Sequence, residues 1–123
     1  KVEVVAGTMK GRKLGFPTGN IELSTQYDKI KDGLYAGRVC VAGEVRDGIA
    51  NIGYKPAVAK QPSRRMVEVN IFGYGADLYG HDIEVELLHF VRTEMTFANL
   101  EELKSQVNRD RQTIQDFFKT LEN

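Results

Sequence analysis

The chain has one cysteine, Cys40, no tryptophan and only three prolines in 123 residues. A lone cysteine forms no internal disulfide, so a disulfide-stapled secreted fold is excluded and a reducing, cytoplasmic setting is expected. No apolar run approaches the ~18–20 residues of a membrane-spanning helix. The opening Lys-Val-Glu-Val-Val lacks the layout of a secretory signal. Net charge is also missing, with 17 Lys and Arg against 17 Asp and Glu, which disfavours a general nucleic-acid binder. Nor does any strand-like stretch carry the aromatic spacing of a barrel that stacks single-stranded bases. His81 and His89 have no second metal-binding pair nearby, so no zinc site is expected.

What is present is enough for one domain over residues 1–123. Hydrophobic residues make up 41%, and a chain of this length buries a core without a disulfide or metal staple. The balanced charge is unevenly spread. Lys10, Arg12 and Lys13 crowd a glycine-rich stretch, and residues 55–66 hold Lys55, Lys60, Arg64 and Arg65 with no acid. Residues 76–102 reverse the balance, with seven acids against Arg92. Two basic loops on a neutral body suit either a local polyanion such as a nucleotide or plain solvated loops.

The first two-thirds read as short strands. Val2 and Val4 alternate with Glu3, residues 35–41 are apolar and rich in β-formers, and 48–53 would complete a hairpin. In 65–72, Val67, Val69 and Ile71 face one way while Met66, Glu68, Asn70 and Phe72 face the other. In 82–92, Ile83, Val85 and Leu87 oppose Asp82, Glu84 and Glu86, and then Leu88 and Phe90 bring apolar residues to the polar face. Something must cover that end. The tail supplies it: Asn99 and Glu102 resemble a capping box, and Leu100, Leu103, Val107, Ile114, Phe117 and Leu121 recur at helical spacing. Strands followed by one long helix predict a mainly β chain, a small antiparallel barrel over about residues 1–92 packed by a helix over about 99–121.

Chemistry concentrates in residues 7–20, where four glycines in fourteen residues let a backbone approach a ligand closely. Lys10, Arg12 and Lys13 offer charge for phosphates, and Thr18 and Asn20 offer the hard oxygens that Mg²⁺ prefers. Neither a Walker A loop nor a dinucleotide fingerprint is present, and taken alone the segment reads equally as turn chemistry. Glu68, a carboxylate in mid-strand next to Asn70 on one face, is either a general base facing a pocket or an ordinary exposed strand residue. Cys40, with no His or acid close by, reads as core. Arg92-Thr-Glu94 and Phe97 lie in the strand-to-helix connection, where ligand contacts and helix caps both occur.

Four ordered segments together resemble the riboflavin kinase (flavokinase) family. They are VVAGTMKGRKLGFPTGN at 4–20, NIGYKP at 51–56, VEVNIFGYGADLYG at 67–80 and RTEMTF at 92–97. The chain departs from the family pattern at Gly19, where Ala is usual, and at Asn70, where His is usual. The resemblance implies a six-stranded Greek-key barrel with a C-terminal helix, and a kinase that passes the γ-phosphate of ATP to riboflavin to give FMN and ADP. It implies Glu68 as the base and a divalent ion (Mg²⁺, or another such as Zn²⁺) at Thr18 and Asn20. It further implies a nucleotide site with Gly7, Gly11, Arg12, Thr18, Asn20, Ile71, Gly73 and Tyr79, and a flavin side with Arg92, Met95 and Phe97. Asn70 cannot titrate, so its expected role is orientation. A flavin- or nucleotide-binding module without catalysis is the alternative. An FMN adenylyltransferase domain preceding Lys1 in a longer protein also fits the resemblance.

Overall fold

The structure, a computed structural model, describes residues 3–9, 18–55, 63–73 and 80–121, without the side chains of Thr18 and Lys55. Alternating apolar residues drive six strands: β1 (Glu3–Thr8), β2 (Thr18–Glu22), β3 (Gly33–Val41), β4 (Glu44–Lys55), β5 (Arg64–Ile71) and β6 (Asp82–Arg92). One helix, α1 (Leu100–Leu121), follows. All neighbours pair antiparallel in the order β1-β6-β3-β4-β5-β2. Strands β3, β4 and β5 form a meander and β6 returns beside β3, which is the winding of a Greek key.

Among the described residues the end strands β1 and β2 are not paired with each other in the sheet, and they meet through side-chain packing. Gly7 sits against the Ile21 side chain and Gly19 against Met9, each so closely that a Cβ would overlap its neighbour. At Gly19 the Met9 thioether, almost fully buried, fills the space an alanine methyl would need. The β3–β4 hairpin turns on Ala42 and Gly43, both with positive φ (51° and 79°), as a tight two-residue hairpin requires.

Val5, Ile21, Val39, Ile52, Val67, Val69 and Val85 fill the interior. In β1 the inward residue is Val5, while Val4 is 42% exposed. Cys40 does not join this core: it points outward between inward-facing Val39 and Val41 and is exposed. The strand β2 begins inside the segment that the sequence marks only as glycine-rich, residues 7–20, and runs two residues past it.

In β6 the strict alternation fails for an identifiable reason. The pairing with β3 slips between Ala36 and Gly37 and again between Leu34 and Tyr35, and each bulge reverses which face the next side chain takes. Leu88 and Phe90 therefore part company instead of sharing the outer face. Leu88 joins the cluster under the helix, whereas Phe90 packs with the interior, edge-on to Tyr35 at 5.2 Å.

The helix starts where its cap predicts. The Glu102 N–H donates to Asn99 Oδ1 (2.9 Å), and the Ala98 N–H donates to Glu102 Oε2 (3.0 Å). Its packing is confined to one half. Ile114 and Phe118 are buried against Leu34 and Ala36, with Phe72, Leu88 and Val91 around them. Leu100, Leu103, Val107 and Leu121, expected on the packed face, are 39–63% exposed. The N-terminal half thus stands off the barrel. Among the described residues, no helix is long and apolar enough to cross a membrane.

Candidate active site

Because Val67, Val69 and Ile71 point into the barrel, Glu68 and Asn70 must point out of it. Strand register then assembles a polar row. Glu68 lies opposite Asn20 of β2 on one side and Asn51 of β4 on the other. The same level continues through Leu34 to Arg92. A second level holds Thr18, Asn70 and Ile49. Residues 18 and 20, distant in sequence from 68, are brought beside it by a single strand pairing.

Two cavities meet at Glu68. The smaller, about 130 Å³, is lined by Asn20, Asn51, Gly53, Tyr54, Met66, Glu68 and Glu94. The larger, about 370 Å³, is the gap under the raised half of α1. Asn51, Glu68, Asn70 and Glu94 form part of its polar lining, and Leu34, Ile49, Met95, Phe97, Leu103 and Val107 its apolar walls. Its size falls within the ~300–1,000 Å³ of small-molecule sites.

The buried Oδ1 of Asn20 has no hydrogen-bond partner among the described residues. Buried polar atoms are nearly always paired, so an acceptor left alone beside a carboxylate in one small cavity fits a cation. Among the described residues no cluster of three or more His, Cys, Asp or Glu could hold a metal. A cation here would need ligands from elsewhere, as Mg²⁺ does when substrate phosphates and water complete its shell.

The other expected site residues divide. Met95 and Phe97 line the larger cavity. Arg92 lines it too, but much of its guanidinium is already engaged: Nε and Nη2 donate to Asp110 (3.0 and 2.8 Å), and Nη1 donates to the Thr93 carbonyl (3.0 Å). Ile71 is fully buried in the barrel interior, so only its backbone is available to a ligand. Gly73, with φ of 69°, forms the exposed turn after β5. Gly7 is on β1, at the barrel seam. Gly11, Arg12 and Tyr79 lie outside the described residues. In the second basic loop, Arg65 is not available for phosphate. Its side chain is 8% exposed and is held by Asp32 at 2.8 Å and by the Tyr27 and Ile30 carbonyls.

Asn51 and Asp110 gain importance that sequence reasoning did not give them, and Glu94, read there only as part of the strand-to-helix connection, gains a definite place. Asn51 belongs to the NIGYKP segment, but its place beside Glu68 depends on the β4–β5 register. Glu94 reaches both cavities, its Oε1 so near Gly53 that a Cβ there would lie 2.7 Å away. Asp110 interrupts the apolar stripe of the helix, a signal legible in the spacing.

Comparison with known proteins bears on the family of the chain. The riboflavin kinase (flavokinase) family model matches residues 1–118. The bifunctional riboflavin kinase/FMN adenylyltransferase of Escherichia coli strain K12 is 44% identical over 116 residues, covering 94% of this chain and 36% of that protein. The chain spans little more than a third of the curated relatives it matches. Among solved structures, riboflavin kinase from Trypanosoma brucei superposes with a TM-score of 0.67 at 24% identity, covering 94% of this chain and 79% of that one. A Streptococcus pneumoniae structure titled macrolide-efflux protein has a TM-score of 0.71 at 23% identity, over 91% of this chain and 38% of that one. At such identities the two structures attest the shared barrel. The family match over nearly the whole length is what decides membership, and this chain belongs to the riboflavin kinase family.

Proposed function

We propose that this chain is a riboflavin kinase that transfers the γ-phosphoryl group of ATP to the 5′-hydroxyl of riboflavin. The observation that carries the reading is the position of Glu68, one carboxylate at the meeting point of a small polar cavity and a larger slot with apolar walls. A flat isoalloxazine ring suits the slot, because the exposed Leu103 and Val107 of the helix face it on one side and Leu34 and Ile49 of the sheet line it on the other. The ribityl chain would then run along the polar row toward Glu68.

In the proposed reaction Glu68 accepts the proton of the 5′-hydroxyl. The freed oxygen bonds to the γ-phosphorus while the bond from phosphorus to the β,γ-bridging oxygen breaks, and ADP leaves with that electron pair. Phosphoryl transfer asks for positioning and charge neutralisation more than for covalent chemistry. Asn20, together with Thr18 two residues before it in β2, would hold a divalent ion (Mg²⁺ or another such as Zn²⁺), which supplies positive charge to the phosphates. Gly7, Gly11, Arg12, Gly73, Tyr79 and the backbone of Ile71 would form the nucleotide side. Met95, Phe97 and the free N–H groups of Arg92 would form the flavin side. Asn70, which lines the slot, can orient a hydroxyl but cannot take its proton, so proton transfer rests on Glu68.

The names and greater length of the curated relatives support a longer parent protein, in which an FMN adenylyltransferase unit consumes the FMN made here. Incubation of the chain with riboflavin and MgATP should yield FMN. Flavin binding without FMN formation would overturn the kinase reading in favour of a non-catalytic flavin module.

A further inference from the structure

A carboxylate is a costly residue to place on the packed side of a helix. On α1, positions 103, 107, 110, 114 and 117 follow the spacing of an apolar stripe, and all are hydrophobic except Asp110. Asp110 is only 6% exposed. It lies one turn before Ile114, at the point where the helix leaves the barrel surface. There it accepts from Arg92 Nε (3.0 Å to each oxygen) and Nη2 (2.8 Å), and from Gln106 Nε2 (2.9 Å). Both oxygens are thus engaged by two neighbours, and both Asp110 and Arg92 line the larger cavity.

The arrangement does more than join helix to strand. Arginine carries five N–H donors in one plane. Asp110 takes the Nε and Nη2 edge, and the Thr93 carbonyl takes one N–H of Nη1. Among the described residues, one N–H on each terminal nitrogen is left without a partner, held in a plane that Asp110 determines. A planar fork fixed in this way recognises a planar acceptor set, such as the carbonyl-bearing edge of a flavin, without the entropy loss of ordering a free arginine.

We propose that Asp110 is a positioning residue for the flavin substrate. It acts through Arg92, setting the orientation of that guanidinium in the slot. The proposal rests on the riboflavin kinase reading. It predicts that Asp110 governs the flavin side and not the nucleotide side, because the Glu68–Asn20 end of the row makes no contact with it in the hydrogen bonds described.

The test is Asp110→Asn, which keeps the shape but turns an amide N–H₂ toward donors. KM and kcat for FMN formation are measured with each substrate varied separately. Riboflavin binding is followed in parallel by flavin fluorescence. Losing one charge-assisted contact should raise the riboflavin KM and Kd by about tenfold, with the MgATP KM within about twofold of wild type, a contrast that one lost positioning contact requires. In an Arg92→Ala background the same substitution should add nothing further, since coupled residues are not additive. Equal rises for both substrates, additive effects with Arg92→Ala, or an unchanged riboflavin KM would each overturn the proposal. If Asp110→Asn does not fold, Gln106→Ala carries the test. It removes one donor from the carboxylate, and only a rise confined to riboflavin supports the role. A wild-type chain that binds riboflavin but makes no FMN sinks the kinase reading while leaving the binding test of Asp110 intact. A wild type that binds no riboflavin overturns both.

Discussion

The two sides of the barrel wall are built from the same strands and do opposite work. Inside, Val67, Val69, Ile52 and Val85 are fully buried in an uninterrupted apolar core. Outside, the intervening residues Glu68, Asn70 and Asn51 make a polar row, and an apolar patch beside it is covered by only half a helix. A core that is closed everywhere stabilises and binds nothing. The outer side is left incomplete, with Leu103 and Val107 exposed over a cavity and Asn20 Oδ1 lacking a partner among the described residues. The unfilled places are where a ligand would complete the packing and the hydrogen bonding.

If the two sides divide the work in this way, substitutions on each should damage different quantities. Glu68→Gln should lower turnover by about 10²–10⁴-fold, the usual contribution of a general base, while leaving MgATP binding and thermal stability near wild type. Retention of wild-type turnover would remove Glu68 from that role. On the inner side, Ile52→Ala should cost about 2–5 kcal/mol of stability through the cavity it leaves. Leu103→Ala, on the exposed lip of the slot, should cost at most about 0.5 kcal/mol but raise the riboflavin KM. Denaturant unfolding alongside steady-state kinetics reads both quantities, and similar stability losses at the two positions would erase the distinction.

Asn20→Ala sharpens the contrast further. Removing an unpaired buried acceptor should leave stability unchanged or improve it, since such an atom costs about 1–3 kcal/mol when left alone, yet MgATP binding should weaken. Calorimetric titration with MgATP together with a melting curve decides it, and lower stability with intact MgATP affinity would mean that Oδ1 serves only packing. The smallest effect concerns Tyr35 on the inner side. Burial raises its phenol pKa above the ordinary value; nearby Arg65 opposes the shift, while Asp32 and Glu3 add to it. With the folded value raised, the stability contribution is complete below a pH of about 10 and is lost as pH climbs through the higher folded value. Ultraviolet titration should show Tyr35 ionising late. Tyr35→Phe should remove that late component, at the cost of the hydrogen bond to the Lys31 carbonyl (2.6 Å).

Much of this is legible in the residues. The β5 alternation, the capped helix and the glycine-rich segment can each be read locally, because strand and helix periods are imposed by nearest neighbours along the chain. Glu68 and Asn20 are both singled out there by residue type. What cannot be read is that they are adjacent, since that depends on the register of β2 on β5. The phase of β6 is hidden for a similar reason: bulges at Leu88 and Val91 arise from its pairing with β3, so Phe90 turns inward where simple alternation sends it out. Cys40 reads as core from its apolar neighbours and is exposed because those neighbours alternate around it.

The sequence alone determined most of the strands, the helix and its cap, the motifs that mark the family and the residue types suited to phosphate, metal and flavin. Each depends on spacing along the chain or on side-chain chemistry, which folding does not alter. Tertiary structure decided that the helix packs by its C-terminal half and leaves a slot beneath the other, that Asp110 grips Arg92 at the point of departure, and that Asn20, Glu68 and Asn51 share one level. Those are relations between segments far apart in the chain, set by strand register and by where buried surface is sufficient to hold the helix down.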